Sequence, residues 1–118
     1  MLTRKDKHRA ALLQGTLDML ILRMLMPGQN HGQGIARAIE QQSGDVLLID
    51  HGALYPALDR LEGKGWINSQ WGTSSNNRKA RFYTLTVKGR RQLLKETGQW
   101  RKVAAAISRV LGPQEAEG

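Results

Sequence analysis

The stretch 72–91 carries Arg78, Lys79, Arg81, Lys88, Arg90 and Arg91 and no acid. Just before those cations lie Thr73, Ser74, Ser75, Asn76 and Asn77. Hydroxyl and amide groups beside guanidinium groups suit phosphate oxygens or a narrow minor groove. A charged hairpin that merely protects a sheet edge would use the same residue types. Residues 1–10 add Arg4, Lys5, Lys7 and Arg9 against Asp6, whereas residues 31–50 set Arg37 against Glu40, Asp45 and Asp50. Positive charge is therefore concentrated in parts of the chain. The total is 18 Lys and Arg against 10 Asp and Glu, a net charge of +8. That balance favours a polyanionic partner, nucleic acid or an anionic membrane surface.

Covalent and metal chemistry has little to work with. The chain has no cysteine, which excludes a disulfide framework, a zinc ribbon and a thiol nucleophile. His8, His31 and His51 lack ligand spacing, and Asp45, Asp50 and Asp59 do not make a calcium loop. His31-Gly-Gln-Gly34 is a fragment of a glycine-rich loop without a preceding strand or a third glycine. Its glycines are better read as sites of close helix packing. Neither an enzyme nor a cofactor is expected. The 118 residues fit one domain. No apolar run reaches the ~18 residues of a membrane span, and the charged start does not lead into a signal peptide, so a cytoplasmic protein is expected.

The elements that must position these groups follow from periodicity. Residues 12–26 are rich in Leu, Ile and Met at helical spacing, with Thr16 as N-cap, Asp18 in the first turn and Pro27-Gly28 as the stop. A second helix is expected from His31 to Ser43, with Ile35, Ala36 and Ile39 inward. Val46–Ile49 suffices for one short strand at most. A third helix should span Gly52 to Lys64 on Leu54, Leu58 and Leu61, with Pro56 in its first turn and Gly65 as its stop. The period then changes to two. Ile67, Ser69 and Trp71 share one face of the first strand, Arg81, Tyr83 and Leu85 share one face of the second, and 72–77 makes the turn of an antiparallel hairpin. A last helix runs from near Val87 to Gly112-Pro113.

Three short helices followed by a hairpin is the order of a winged helix-turn-helix, in which the second helix of the pair enters the major groove. The fold expected is mainly α with a small β-hairpin, plus a long C-terminal dimerisation helix. Its segments would be 1–11, a flexible basic N-terminus; 12–86, the winged helix-turn-helix; 87–112, the dimerisation helix; and 113–118, a tail. The third helix offers Ala53, Tyr55 and Arg60 outward. Tyr55 would contact DNA or, alternatively, be a half-buried hydrophobe. Leu93, Trp100, Val103, Ile107 and Val110 form one heptad-like stripe, which a second copy would cover. Leu13, Leu17 and Leu20 of the first helix offer the surface it would meet. The stripe could instead fold back on its own core.

Several motifs resemble the PadR family of bacterial transcriptional regulators: Gly15-Thr-Leu-Asp18, His31-Gly-Gln-Gly-Ile-Ala36, and Gly52-Ala-Leu-Tyr-Pro-Ala-Leu-Asp-Arg-Leu-Glu62. So do Gly65-Trp-Ile67, Trp71-Gly72, and Tyr83-Thr-Leu-Thr86 followed by Gly89-Arg90. The resemblance spans about residues 12–111 and is closest to the small members with a single C-terminal helix. It implies a homodimer that binds a palindromic double-stranded operator, usually as a repressor, with no membrane partner. The DNA-contacting set it implies, joined to the residues above, is Gln33, Ala53, Tyr55, Pro56, Arg60, Thr73, Ser74, Asn77, Arg78, Lys79 and Arg81. Gln33 stands where the family often has an aromatic residue, and Ala53 where it has a hydroxyl, so operator preference does not carry over. The resemblance also implies a small aromatic effector, for which Trp100 on the dimer helix is the candidate pocket residue. The alternative is a nonspecific nucleic-acid-binding protein.

Overall fold

The computed structural model describes residues 14–114. Leu13 and residues 1–11, expected at the dimer surface and in a flexible arm, lie outside that range, as does the tail from 115. Helix α1 is Gln14–Met24, β1 Asn30–His31, α2 Gly32–Gln42 and α3 His51–Gly63. Strands β2 (Ile67–Thr73) and β3 (Lys79–Leu85) form the hairpin, and α4 is Val87–Leu111. All three strands join one antiparallel sheet in the order β1-β3-β2.

The core is a single apolar cluster shared by the helices and the base of the hairpin. Ile21, Leu22, Ile35, Leu54, Leu58, Leu61 and Ile67 are completely buried, and Leu17, Ile39, Tyr83 and Leu93 are nearly so. Burial of such side chains stabilises the fold by roughly 1.5–3 kcal/mol each, before conformational entropy is subtracted.

Helix ends show where local chemistry decides. His31 Nδ1 accepts from the Gly34 amide at 3.1 Å and caps α2. Asp50 Oδ1 accepts from the Gly52 amide at 3.1 Å and caps α3. Thr86 Oγ1 accepts from the Gly89 amide at 2.9 Å and caps α4. Each satisfies an amide that a helix start leaves without a carbonyl. Gly65 takes φ +76°, and the Gly65 and Trp66 amides return to Glu62 O and Leu61 O, so α3 ends and turns directly into β2.

Four expectations need correction. Helix α1 begins by Gln14, so Thr16 lies inside its first turn and does not cap it. Asp18 does not serve the helix dipole at an open end; it is buried and paired with Arg60. Pro56 lies in the second turn of α3, where its missing amide deprives the Gly52 carbonyl of its helical partner. Val46–Ile49 is not a strand: the Leu47 amide donates to Ser43 Oγ at 3.0 Å and the Ile49 amide to Glu40 Oε2 at 3.0 Å. Those side chains of α2 and its cap take the donors that a neighbouring strand would otherwise have taken.

Candidate nucleic-acid interface

A cleft of about 530 Å³ opens between the start of α2, the outer face of α3 and the hairpin. The register builds its hairpin wall. Ser69 pairs with Tyr83 and Trp71 with Arg81, so these four side chains share the face turned towards α3. Tyr55 of α3 and Gln33 and Arg37 of α2 supply the opposite wall. Arg78, Lys79 and Arg81 stand on the hairpin side, and Asp59 of α3 also lines the cleft. The concentrated charge of the sequence thus becomes a basic groove beside an exposed helix.

Tyr55 is 43% exposed, so neither of its simple descriptions is complete. One face of the ring lies against Gly32, where a Cβ would come within 2.8 Å of Tyr55 Oη. His51 approaches edge-on at 6.1 Å between centroids. The packing fixes the ring while the remaining surface faces the cleft. Burial pushes the Tyr83 phenol, deeper in the hairpin wall opposite, above the ordinary tyrosine value, while the Arg81 guanidinium pulls it partly back.

Gln33, Tyr55, Ser74, Arg78, Lys79 and Arg81 line this one cleft. Ala53 and Pro56 are exposed on α3, and Thr73 and Asn77 on the hairpin, beside it rather than in it. Ser74 and Asn77 also shape the turn. Ser74 Oγ lies 2.6 Å from Asn76 Oδ1 and accepts from the Arg78 amide at 3.3 Å, and Asn77 takes φ +61°. Arg60 does not face the cleft. Its Nη2 donates to Asp18 Oδ1 at 2.8 Å, tying α3 to α1. Its Nε is buried without a partner.

Trp71 and Arg37 were absent from the residues picked by sequence, yet both line the cleft. Trp71 is 61% exposed, with Lys79 Nζ at 5.3 Å and Arg81 Cζ at 5.9 Å from its ring. The period-two alternation already placed Trp71 with Ser69, and hairpin pairing then sets it beside Arg81. Arg37 follows Gln33 by one helical turn, which was also a readable signal.

The apolar stripe of α4 divides in two. Leu93, with Leu17, belongs to the chain's own core, and Leu20 packs against it. Trp100, Val103, Ile107 and Val110 are between 51% and 86% exposed. Trp100 does not line the cleft. Among the described residues, no helix is long and apolar enough to cross a membrane.

This arrangement has counterparts. An uncharacterized protein from Lysinibacillus sphaericus is 28% identical over 99 residues, covering 84% of this chain and 91% of its own. The structure of a transcriptional regulator from Clostridium thermocellum superposes with a TM-score of 0.75 at 26% identity, covering 83% of this chain and 92% of that one. A PadR family transcription regulator from hypervirulent Clostridium difficile gives 0.70 at 28% identity, with coverage of 81% and 98%. The profile of the transcriptional regulator PadR-like family matches residues 21–95, from the core of α1 into α4. With a groove of this charge beside an exposed helix, and a family match over most of its length, the chain belongs to the PadR-like family of transcriptional regulators.

Proposed function

We propose that this protein binds a specific duplex site as a homodimer and represses transcription there. The observation that carries this reading is the basic cleft between the exposed face of α3 and the hairpin. In this reading α3 enters the major groove, with Ala53, Tyr55 and Pro56 towards the bases. The hairpin is the wing, and Arg78 and Lys79 meet phosphates. The exposed stripe from Trp100 to Val110 supports a second copy, because free helices seldom leave such a row in water. Two copies related by a two-fold axis would read a palindromic operator, with half-sites about one helical turn, roughly 34 Å, apart. We extend the proposal to release by a small planar aromatic compound between the two Trp100 rings. A cytoplasmic location accompanies a chromosomal target.

Selection from a randomised duplex pool tests the reading. A consensus with dyad symmetry, bound at least ~10³-fold more tightly than random DNA at fixed salt, is expected. Equal binding to both would leave a nonspecific nucleic-acid binder. Tyr55→Ala should cost about 1–3 kcal/mol on the selected duplex and much less on random DNA. Sedimentation should show a dimer, and Trp100→Arg a monomer. Quenching of tryptophan fluorescence by planar aromatics should disappear in Trp100→Phe if the ligand sits there.

A further inference from the structure

Besides Asp59, a second acid stands beside the cleft, where a DNA-binding surface would be expected to exclude it. Glu62, in the last turn of α3, faces the hairpin and closes a triangle with Ser69 of β2 and Arg81 of β3. Ser69 Oγ donates to Glu62 Oε2 at 2.6 Å and accepts from Arg81 Nε at 2.9 Å. Arg81 Nη2 reaches Glu62 Oε1 at 3.4 Å. Each of the three side chains therefore touches the other two, and the set joins α3 to both strands.

The triangle stands at a particular height on the hairpin. Below it, the base is fixed by α4: Thr86 Oγ1 donates to Gly65 O at 2.8 Å, and the Thr86 amide to Trp66 O at 3.0 Å. Above it the hairpin runs on through Trp71, Lys79 and Arg78 to an exposed tip that bonds within itself. At the same height β1 pairs with Tyr83 and Phe82 on the other edge of β3, so the sheet is held there on its backbone. The triangle is what ties the hairpin face to α3 and sets how its tip leans over that helix.

We infer that Glu62 is a positioning residue that holds the wing at its working angle through Ser69 and Arg81, so that this acid raises affinity for DNA. The inference rests on the reading of the cleft as a DNA interface. Its physical basis is preorganisation. A wing already placed over the cleft loses less conformational freedom on binding than one that must be ordered there. The charge-assisted bonds of the triangle supply that order, and they are stronger than neutral ones. Arg81 accordingly acts through Glu62 instead of through a phosphate.

The consequence runs against simple electrostatics. Removing an acid near a polyanion should tighten binding, because the neighbouring cations are less neutralised. Asp59 is the internal comparison. It lies about one turn earlier on α3, lines the same cleft, and forms no ion pair among the described residues. Asp59→Ala should tighten binding. Glu62→Ala should weaken it by about tenfold on the selected duplex, with a smaller loss on random DNA; that is about 1.4 kcal/mol.

Ser69→Ala removes the central link without changing charge, and should weaken binding in the same direction. The double variant should lose less than the product of the two single losses, since both break one unit. Melting temperatures identify any variant whose loss is unfolding, and Ser69→Ala keeps the test decisive if Glu62→Ala folds poorly. Tightening by Glu62→Ala, or unchanged affinity of Ser69→Ala for the selected duplex with the fold intact, would overturn the inference while leaving the DNA reading in place. Failure of the unaltered protein to select any duplex would overturn both.

Discussion

The pair between Asp18 and Arg60 decides whether Arg60 belongs to the fold or to the DNA. The two partners are buried unequally: the Asp18 side chain is 8% exposed and that of Arg60 31%. Removing one member of a buried pair costs about 3–5 kcal/mol when the other is left in an apolar setting without a partner. Arg60→Ala does that to Asp18, whose carboxylate has almost no access to water. Asp18→Ala leaves an Arg60 side chain that is already about a third exposed and can keep its charge hydrated, so its cost should be lower, about 1–2 kcal/mol. For a domain of this size each kcal/mol moves the midpoint by about 4–8 °C. Arg60→Ala should therefore lower the melting temperature by about 12 °C or more, and Asp18→Ala by about 4–16 °C, less than Arg60→Ala in the same measurement. An apolar pair such as Asp18→Leu with Arg60→Met should recover most of the loss, because the orphaned Arg60 Nε disappears along with both charges. Differential scanning calorimetry reads these values, and binding to the selected duplex is measured well below each midpoint. Equal losses from the two single variants would refute the burial argument. A stable Arg60→Ala with weakened DNA binding would restore Arg60 as a contact.

Two further predictions follow from close packing and burial. A Cβ on Gly89 would strike the Trp66 backbone carbonyl, which cannot move aside as a side chain would, so Gly89→Ala should cost about 3 kcal/mol and loosen the hairpin base; an unchanged melting temperature would show that α4 shifts freely. The second concerns Tyr83, whose phenol is held above the ordinary value of 10.0 by burial. The folded state binds that proton more tightly than the unfolded chain, so its stabilising contribution is intact below pH 10.0 and declines as pH rises through the folded value. The chain has two tyrosines, so the phenolate absorbance of Tyr55→Phe reports Tyr83 alone; titration at or below 10.0 would refute the burial argument.

Much of this was legible because it depends on local pattern. The Leu54, Leu58 and Leu61 spacing located α3, and the alternation of 67–71 with 81–85 fixed the faces of the hairpin. What escaped depends on separation along the chain. Asp18 meets Arg60 across 42 positions, and periodicity saw only a helix start and an outward cation. Strand β1 is two residues long, too short for a period of two to show, and it exists because Asn30 and His31 meet Tyr83 and Phe82 of β3. Val46–Ile49 has the composition of a strand, but composition cannot reveal that Ser43 and Glu40 already hold its amides. Leu93 matched the exposed stripe in spacing, and only packing against α1 separates it from Trp100.

The same separation governs how many charges reach DNA. Counted from sequence, Arg60, Arg78, Lys79 and Arg81 are equivalent cations. In the fold Arg60 is bound to Asp18 and Arg81 to Glu62, while Arg37, Arg78 and Lys79 are exposed on the cleft without an ion pair among the described residues. Lys79 stays available even though its ammonium sits near the Trp71 ring, because an aromatic face does not neutralise charge. On the proposed dimer, three free cations per copy would make about six phosphate contacts, and each contributes about −0.9 to the slope of log K against log salt, giving about −5 for the described residues. Alanine at Arg37, Arg78 or Lys79 should flatten that slope by about 1.8, since each substitution occurs twice. Arg81→Ala should behave differently: affinity falls through the loosened wing, and the slope stays where it was. A titration series in potassium chloride separates the two effects, because one changes the gradient and the other the intercept. If Arg81→Ala instead flattens the slope by about 1.8, its guanidinium leaves Glu62 for a phosphate when DNA arrives, and the division of charge between fold and partner fails at that residue.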